Sequence, residues 1–511
     1  MMKVFHMLFT RLVTIILAIL LQFAIFAVAF FLLGRMYPII FVLFAVFSII
    51  IVIWIGMKND NPAYKLAWVT LILLIPFVGA MVYLVWGNKR LPRKTRIAAE
   101  KFHASSLEYQ VRDKTTLQAL EKEDKDLAIT ARYLDSIAGF PLWDCTEGEY
   151  FSTGEKMFTR LMEELKKAED YVFMEYFIVQ EGHMWDPIHA LLRQKIHQGV
   201  KVYFMYDDIG CINTLPNGYN HILEDEGFHV HIVNPFRPQL NPMMNYRDHR
   251  KITVIDGKVA FCGGMNLADE YINEKDRFGH WKDTAVMVEG KGVWNLAETF
   301  IQMWNFTSVK KKDLLEPSDF RYTIREARSD GYVQPFSDTP LDFENVGESF
   351  FLNVINHATD YIYITTPYLI IDHEMQTALC LAAKNGVNVH LITPGIPDKE
   401  YVYKVTRSYY LPLLEAGVKI SEYSPGFIHA KNLVADDKVA LVGTVNMDYR
   451  SFYFHFECGV AFYKNRVVRS VKEDFIHTLN SSREITYAAA KKISLFERIL
   501  RSVLRLFAPL M

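Results

Sequence analysis

The hydrophobic residues of this chain are concentrated at its amino end, in three apolar runs at residues 12–34, 38–57 and 66–86. A helix of about 20 apolar residues crosses the roughly 30 Å hydrocarbon core of a bilayer. The pattern therefore predicts a membrane anchor over residues 1–87 with three spanning helices. A cleavable signal peptide is the alternative for the first run, although its apolar stretch would be shorter.

A basic cluster follows the third run and consists of Lys89, Arg90, Arg93, Lys94 and Arg96. Such clusters beside a span normally stay in the cytoplasm, so we expect a multi-pass protein of a bacterial cell membrane with its large domain on the cytoplasmic side. Two basic residues before the first run would then lie outside, which leaves the orientation of that run open.

The rest of the chain has the pattern of a mixed α/β protein. Residues 88–137 are charged and weakly periodic, which is typical of a solvated helical connector. Beyond them, short apolar runs at 171–179, 200–206 and 228–233 alternate with helical patterns such as 157–167. This alternation predicts an α/β sandwich.

The chain contains an internal repeat. The sequence AEDYVF at 168–173 recurs as ATDYIY at 358–363, which is 358 − 168 = 190 residues later. A repeat of this length indicates a duplicated domain. We expect two tandem α/β/α units, at residues 138–325 and 326–485, related by a pseudo-twofold axis that brings like motifs to one shared site.

Each unit carries one copy of a six-residue motif with identical internal spacing. The first copy is His249, Lys251, Asp256, Gly263, Gly264 and Asn266, and the second is His429, Lys431, Asp436, Gly443, Thr444 and Asn446. A single HxK pair is more often structural than catalytic. Two complete copies argue against both coincidence and a decayed site.

The residue types in the motif favour phosphoryl transfer. On a strand, His and Lys two positions apart point to the same face. Lysines can neutralise phosphate oxygens where a metal ion would otherwise bind, so we expect no metal and no cofactor. One imidazole can attack phosphorus while the other protonates the leaving alkoxide and later deprotonates the incoming alcohol.

Both motifs, with their Gly-Gly-x-Asn and Gly-Thr-x-Asn extensions, resemble the paired HKD motifs of the phospholipase D superfamily. Further segments resemble bacterial cardiolipin synthases, namely EYF at 175–177, YDDIG at 206–210, NYRDHRK at 245–251 and TPY at 366–368. The resemblance covers residues 140 to 485. Many members have two spans before the catalytic region, so the run at 12–34 is a departure.

This resemblance implies a reaction and a set of roles. Two phosphatidylglycerol molecules condense to cardiolipin and glycerol through a phosphatidyl-histidine. His249 is assigned as the nucleophile and His429 as the acid and base, although the near-symmetry leaves the reverse assignment open. Lys251, Lys431, Asn266 and Asn446 are expected to bind phosphate oxygens, with Gly264 and Thr444 supporting them.

A nucleophilic imidazole needs an acceptor at its far nitrogen, which fixes the tautomer. Glu457 and Asp283 are the candidates. The family's later acidic residue matches Glu457 in the sequence FECG, whereas Asp283 in HWKD matches less closely. Asp256 and Asp436 are expected to brace the motif and not to touch substrate.

Composition limits the alternatives. The chain has 56 basic and 58 acidic residues, so no overall field attracts nucleic acid, and this argues against a membrane-anchored nuclease of the same superfamily. Its five cysteines have no metal-ligand spacing, and Cys262 and Cys458 are interpreted as core residues.

Three other functions stay possible from the sequence: a phospholipase that uses water as acceptor, a transferase with another lipid acceptor, and an inert lipid-binding scaffold. The expected partners are phosphatidylglycerol, cardiolipin and anionic membrane lipid, while the oligomeric state is not indicated. Residues 486–511 predict a basic amphipathic helix that either lies on anionic lipid or docks on the protein itself.

Overall fold

The computed structural model describes residues 38–87, 114–236, 245–308, 313–320, 330–342 and 344–510, with a few isolated positions before residue 38 and at residue 97. The predicted span at 12–34 and the basic cluster at 89–96 lie outside the described residues. Within the described part of the chain, no helix combines the length and the apolar character needed to cross a membrane. The three predicted spans are therefore not confirmed.

Residues 38–87 form three helices and a π-helical turn: α1 (Pro38–Gly56), α2 (Pro62–Leu74), α3 (Val78–Val82) and the turn Tyr83–Gly87. The run at 66–86, predicted as one span, is broken after α2. Pro76 has no backbone N–H to continue the helix, and Phe77 adopts φ 61°, which turns the chain. Gly79 then lies so close to α2 that a Cβ would be 2.8 Å from Leu71 O.

Helix α2 docks on the body of the protein. The Tyr64 hydroxyl donates to Gly87 O (3.0 Å), and its ring lies 5.6 Å from that of Phe454. Asn61 Nδ2 donates to Tyr453 Oη (3.0 Å) and Asp372 Oδ2 (3.2 Å). The amino-terminal helices are thus attached to the carboxyl-terminal half of the chain.

The described part of the connector, from residue 114 onward, is helical, as α4 (Lys114–Glu123) and α5 (Lys125–Ser136), but it is not fully solvated. Leu127, Ala131 and Leu134 are buried in the core of the second unit. Gln334 Nε2 donates to Ala131 O at 3.0 Å. The 127, 131, 134 spacing is one helical face, and its burial corrects the expectation of a helix surrounded by solvent.

The first α/β unit follows the connector. In chain order it contains β1 (Thr146–Phe151), α6 (Gly154–Leu165), β2 (Tyr171–Tyr176), α7 (Trp185–His197), β3 (Lys201–Asp207), α8 (Asp208–Cys211), α9 (Tyr219–Asp225), β4 (His229–Val233), β5 (Arg247–Asp248), β6 (Lys251–Ile255), β7 (Val259–Gly263), a 3-10 turn (Asp269–Ile272), β8 (Ala285–Gly290), α10 (Val293–Ser308) and a second 3-10 turn (Pro317–Phe320). Its seven-stranded sheet has the order β1-β8-β7-β6-β2-β3-β4.

The second unit repeats this plan. It contains β9 (Tyr332–Asp338), α11 (Val346–His357), β10 (Tyr361–Thr365), β11 (Leu369–Ile370), α12 (His373–Lys384), β12 (Asn388–Pro394), α13 (Glu400–Ser408), α14 (Tyr410–Glu415), β13 (Lys419–Tyr423), β14 (Asn432–Ala435), β15 (Val439–Gly443), β16 (Met447–Asp448), α15 (Tyr449–Tyr453), β17 (His455–Tyr463), α16 (Arg466–Asn480) and β18 (Ser482–Glu484). Its central order is β9-β17-β15-β14-β10-β12-β13.

The two sheets match strand for strand, which confirms the predicted duplication. In each unit three parallel strands adjoin an antiparallel hairpin that begins with the HxK motif. The sheets share one buried cluster, to which β6, β7 and β8 contribute from one side and β15 and β17 from the other. Within it Cys262 Sγ and Cys458 Sγ lie 3.5 Å apart, both buried.

The chain ends in α17 (Tyr487–Lys491), α18 (Leu495–Leu506) and a 3-10 turn (Ala508–Leu510). Helix α18 is amphipathic, as predicted, and it docks through polar contacts: Arg505 Nη2 donates to Gln376 Oε1 at 2.7 Å. Its apolar side is exposed, with Phe496 75% and Ile499 54% accessible. The helix therefore attaches to the protein and also presents an apolar face outward.

Candidate active site

The two HxK motifs meet where the backbone of each unit forms hydrogen bonds with the backbone of the other. Strand β5, just before His249, pairs in parallel with β17 of the second unit, and His249 N donates to Phe456 O at 2.9 Å. Reciprocally, His429 N donates to Lys282 O of the first unit at 2.7 Å. Each motif histidine is thus fixed by backbone of the other unit, as a pseudo-twofold relation requires.

Glu457 holds the first histidine. His249 Nδ1 lies 3.0 Å from both carboxylate oxygens of Glu457. The carboxylate itself accepts hydrogen bonds from Thr444 Oγ1 and from Ser451 Oγ, the latter at 2.7 Å. With Nδ1 donating to this acceptor, Nε2 keeps the free lone pair that a nucleophile needs.

Asp283 holds the second histidine in the equivalent way. His429 Nδ1 lies 2.6 Å from Asp283 Oδ2, and Thr284 N donates to Asp283 Oδ1 at 2.8 Å. Gly264, which is equivalent to Thr444 in the repeat, leaves room for this carboxylate, because a Cβ at position 264 would overlap Asp283 Oδ1. Gly264 thus makes space, whereas Thr444 makes a hydrogen bond.

The motif lysines lie beside the histidines in the buried site. Lys251 Nζ donates to His249 O and Lys431 Nζ donates to His429 O. Burial lowers the pKa of Lys251 to about 8 and that of Lys431 to about 7. Both pKa values reflect the cost of desolvating an ammonium group, which Glu457 at Lys251 and Asp283 at Lys431 only partly offset.

The surroundings of both histidines favour the neutral imidazole. Burial, followed by the positive field of Lys251 and Lys431, moves the pKa of His249 well below its usual 6.5. Burial and Lys431 lower the pKa of His429 to about 4, against the opposing effect of Asp283. A neutral imidazole is the nucleophilic form.

The two motif asparagines differ. Asn266 Oδ1 accepts from Ile178 N (2.9 Å) and its Nδ2 donates to Tyr271 Oη (2.7 Å), so at most one N–H is left for a phosphate. Asn446 Oδ1 is buried and has no hydrogen-bond partner among the described residues. The Asn446 Oδ1 can therefore accept a hydrogen bond from a bound group, while the Asn266 side chain is held by Ile178 and Tyr271.

The motif aspartates lie at the far end of the hairpins. Asp256 accepts backbone hydrogen bonds from residues 169, 170 and 171, at 3.0, 2.8 and 3.0 Å. Asp436 accepts the corresponding bonds from residues 359, 360 and 361, at 2.7, 3.0 and 2.8 Å. Each aspartate thereby ties its hairpin to the start of the neighbouring parallel strand.

We expect Asp256→Ala and Asp436→Ala to destabilise the protein and to spare the chemistry. Each change removes a charged acceptor from three N–H groups, which costs about 2–3 kcal/mol. Thermal unfolding should show lower midpoints for both variants, while kcat measured well below the midpoint stays within a few-fold of the unchanged protein. A large loss of kcat at an unchanged midpoint would contradict the bracing role.

His455 is a further residue of the site that was not predicted from the sequence. Its Nδ1 lies 3.5 Å from Glu457 Oε1, and its ring centroid is 5.5 Å from that of His249. A signal was present, because residues 455 and 457 alternate along β17 and so share a face. Ser451, the second donor to Glu457, lies in α15 and has no comparable local signal.

One group of the described residues could hold a metal ion: His249, His455 and Glu457 offer ligand atoms within 4.8 Å of one another. These atoms include the hydrogen-bonded pair of His249 and Glu457. An ion at this position would replace that contact, so the group fits an orienting role for His249 better than a resident metal.

Known proteins share this arrangement. The chain matches the model of the family described as "Cardiolipin synthase, PLD-like domain" at residues 161–304 and 351–479. Residues 40–88 match the model described as "Phospholipase_D-nuclease N-terminal". The two segments of the first match contain the central strands of both units and both histidine motifs.

Relatives and a solved structure agree. An uncharacterized protein of Streptococcus mutans is 42% identical over 87% of this chain and 96% of its own length. The cardiolipin synthase of Halalkalibacterium halodurans is 32% identical over 92% of this chain and 94% of its own length. The structure of phosphatidylserine synthase from Haemophilus influenzae covers 75% of this chain and 97% of its own at a TM-score of 0.56 and 14% identity, which shows a shared fold. The chain belongs to the cardiolipin synthase family with tandem phospholipase D-like domains.

Proposed function

We propose that this chain is a cardiolipin synthase, which transfers a phosphatidyl group from one phosphatidylglycerol to the terminal hydroxyl of another and releases glycerol. The observation that carries the proposal is the pair of buried histidines, each held by an acid of the opposite unit. Family membership supports the substrate class, because the Halalkalibacterium halodurans relative is named a cardiolipin synthase.

In the first step, His249 Nε2 attacks the phosphorus of one phosphatidylglycerol. An N–P bond forms, the P–O bond to glycerol breaks, and the departing alkoxide takes a proton from His429. A phosphodiester anion bound between Lys251 and Lys431 offsets the positive field on His429, which raises the pKa of this histidine towards a range where it can donate.

In the second step, the terminal hydroxyl of another phosphatidylglycerol attacks the phosphatidyl-histidine. His429 takes the hydroxyl proton, a new P–O bond forms and the N–P bond breaks. Thus one phosphodiester bond is exchanged for another and no energy source is required. Both lysines bear the charge that develops on the phosphate oxygens.

The exposed apolar surfaces support attachment to a membrane. Helix α1 exposes Ile39, Val42 and Ile53, each more than half accessible, and α18 exposes Phe496 and Ile499. Together they bring apolar surface to the side of the protein where α2 and α18 meet. The multi-pass topology and the cytoplasmic location of the catalytic units are parts of this proposal.

Product analysis by mass spectrometry tests the proposed function. The full chain is incubated with phosphatidylglycerol in buffer with and without a chelator, alongside His249→Ala and His429→Ala. Cardiolipin and glycerol from the intact protein alone support the synthase. Phosphatidic acid as the main product would indicate a hydrolase. A mixed diester formed with phosphatidylethanolamine would indicate a transferase with another acceptor. No lipid product would refute the proposal.

The activity should depend on pH through the lysines and His249. The test uses a phosphatidyl ester of nitrophenol, whose leaving group needs no proton from His429. His249 must be neutral, so kcat/KM for this ester falls only at pH values well below 6.5, whereas Lys431 and Lys251 must be charged, so kcat/KM falls as pH rises through about 7 to 8. Arginine stays charged over this range. In Lys431→Arg the fall of kcat/KM at alkaline pH should begin at about pH 8 and no longer at about pH 7, whereas in Lys251→Arg it should still begin at about pH 7. A fall of kcat/KM at the same alkaline pH in the unchanged protein and both variants would contradict these assignments.

A further inference from the structure

A cavity of about 160 Å³ lies where three distant parts of the chain meet. Trp68 of α2 and Trp86 of the π-helical turn form one wall, Phe454 after α15 forms another, and Pro509 and Leu510 of the carboxyl terminus complete it. Pockets for drug-sized ligands measure about 300–1,000 Å³. This cavity is therefore large enough for a polar headgroup but too small for a whole lipid.

Among the described residues, Arg450 is the one charged side chain that lines this cavity. Within the part of the chain that the structure describes, its guanidinium makes no hydrogen bond or ion pair. Asp448 acts on it electrostatically, but that carboxylate caps α15 by accepting from Ser451 N at 2.8 Å. A largely desolvated guanidinium favours an anion, and its planar fork suits two oxygens of a phosphate.

The cavity adjoins the catalytic histidines but is separate from them. Arg450 directly precedes Ser451, whose Oγ donates to Glu457 at 2.7 Å, and Glu457 holds His249. The positive charge of Arg450 reaches His455, whose pKa falls to about 3, mainly through burial, with His249 and Arg450 adding to the effect. The His455 ring in turn lies 5.5 Å from the His249 ring. Lys251 and Lys431, which flank the reacting phosphate, do not line the cavity.

Exposed apolar residues belong to the same elements as the cavity walls. Helix α2 exposes Leu73 and Leu74, and α18, which contacts α2 and leads into the carboxyl-terminal turn, exposes Ile499 and Val503. A phospholipid with its headgroup in the cavity would have apolar surface nearby for its acyl chains. A free phosphate would gain nothing from this surface.

We propose that the cavity around Arg450 binds the phosphodiester of the acceptor lipid. This inference rests on the proposed function, in which the acceptor carries a phosphate that does not react and a terminal hydroxyl that does. With its phosphate at Arg450, the acceptor extends its glycerol towards the phosphatidyl group on His249. Its hydroxyl oxygen then forms the new P–O bond, the N–P bond breaks, and His429 takes the proton.

The partition of the phosphatidyl-enzyme between two acceptors tests the proposal. The full chain in phosphatidylcholine nanodiscs is given phosphatidylglycerol and labelled glycerol, an acceptor without a phosphate. We expect Arg450→Gln to raise the half-saturating phosphatidylglycerol concentration for cardiolipin formation by about tenfold to a hundredfold. Exchange of labelled glycerol into phosphatidylglycerol should keep its rate, and Arg450→Lys should fall between.

Arg469→Gln is the matched control, because Arg469 is exposed on α16, pairs with Glu473 and does not line the cavity. It removes the same charge and should change neither reaction. Equal losses of cardiolipin formation and glycerol exchange in Arg450→Gln would indicate a structural role and overturn the proposal.

Lipid binding measured without turnover separates this proposal from the proposed function. Native mass spectrometry of the full chain is made in a His249→Ala background, which forms no phosphatidyl-enzyme, while product formation is measured on the unchanged protein. Adding Arg450→Gln should leave one phosphatidylglycerol fewer retained, because the lipid bound between Lys251 and Lys431 stays. Such binding without any lipid product would refute the synthase but keep the headgroup site, whereas equal retention by both proteins would refute the site. Millimolar inorganic phosphate should not displace the lipid; displacement that depends on Arg450 would assign the cavity to a free anion.

Discussion

His249→Ala should abolish cardiolipin formation, lowering kcat by about 10⁴–10⁶-fold, because it removes the nucleophile on which both steps depend. His429→Ala should lower kcat on phosphatidylglycerol by about 10²–10⁴-fold, the usual contribution of a general acid and base. The two variants should differ most clearly with a phosphatidyl ester of nitrophenol, whose leaving group departs without a proton.

Intact-mass measurement after mixing with this activated ester distinguishes the roles. His429→Ala should accumulate a phosphatidyl adduct, because attack proceeds but no base activates the acceptor, whereas His249→Ala should form none. The reverse pattern would make His429 the nucleophile. His221→Ala changes an exposed histidine that pairs with Glu224, and it should behave as the unchanged protein does.

Glu457→Gln should slow adduct formation by about 10²–10⁴-fold although the side chain keeps its shape. The amide has no negative charge to stabilise the imidazolium that forms at His249. Its NH₂ group also cannot accept the hydrogen bonds that Thr444 and Ser451 donate. Asp283→Asn should produce a loss of similar size on phosphatidylglycerol through His429. Rapid-quench measurement of the adduct gives the rate of the first step for each variant.

The activated ester again separates the two acids. It should restore adduct formation in Asp283→Asn but not in Glu457→Gln, because only the former acts through the proton donor. Glu422→Gln removes another buried carboxylate, which pairs with Arg407 outside the site, and controls for the cost of losing buried charge. Glu422→Gln should lower the midpoint of thermal unfolding and have little effect on the rate of adduct formation. Equal rescue of both acid variants would contradict the assignment.

Much of the architecture was predictable because the repeat made each motif a check on the other. The runs at 171–179 and 200–206 became β2 and β3, and the second unit repeats their pairing. The failures also had local causes that were visible in the sequence. Pro76 marked the break in the third apolar run, and the spacing of residues 127, 131 and 134 marked the buried face of the connector.

The exchange of acids between units was not predictable from residue patterns. Glu457 lies 208 positions after His249, and Asp283 lies 146 before His429, so no local spacing joins either pair. Glu457 was recognised through its resemblance to the family. That it serves His249, and that Asp283 serves His429, depends on how the two sheets dock. The cavity at Arg450 likewise needs three segments that only tertiary structure brings together.

The strand exchange also constrains when the enzyme becomes active. During synthesis at about 5–20 residues per second, Glu457 emerges roughly 10–40 s after His249. His429 emerges 28 residues before Glu457, so for most of this interval the first histidine lacks its proton-transfer partner, and for all of it the orienting carboxylate. A ribosome-bound fragment beside a membrane is therefore inert towards the lipids around it, and a truncated product is inert as well. Because the site is divided between the two units, the protein becomes active only after both units have been synthesised and have docked.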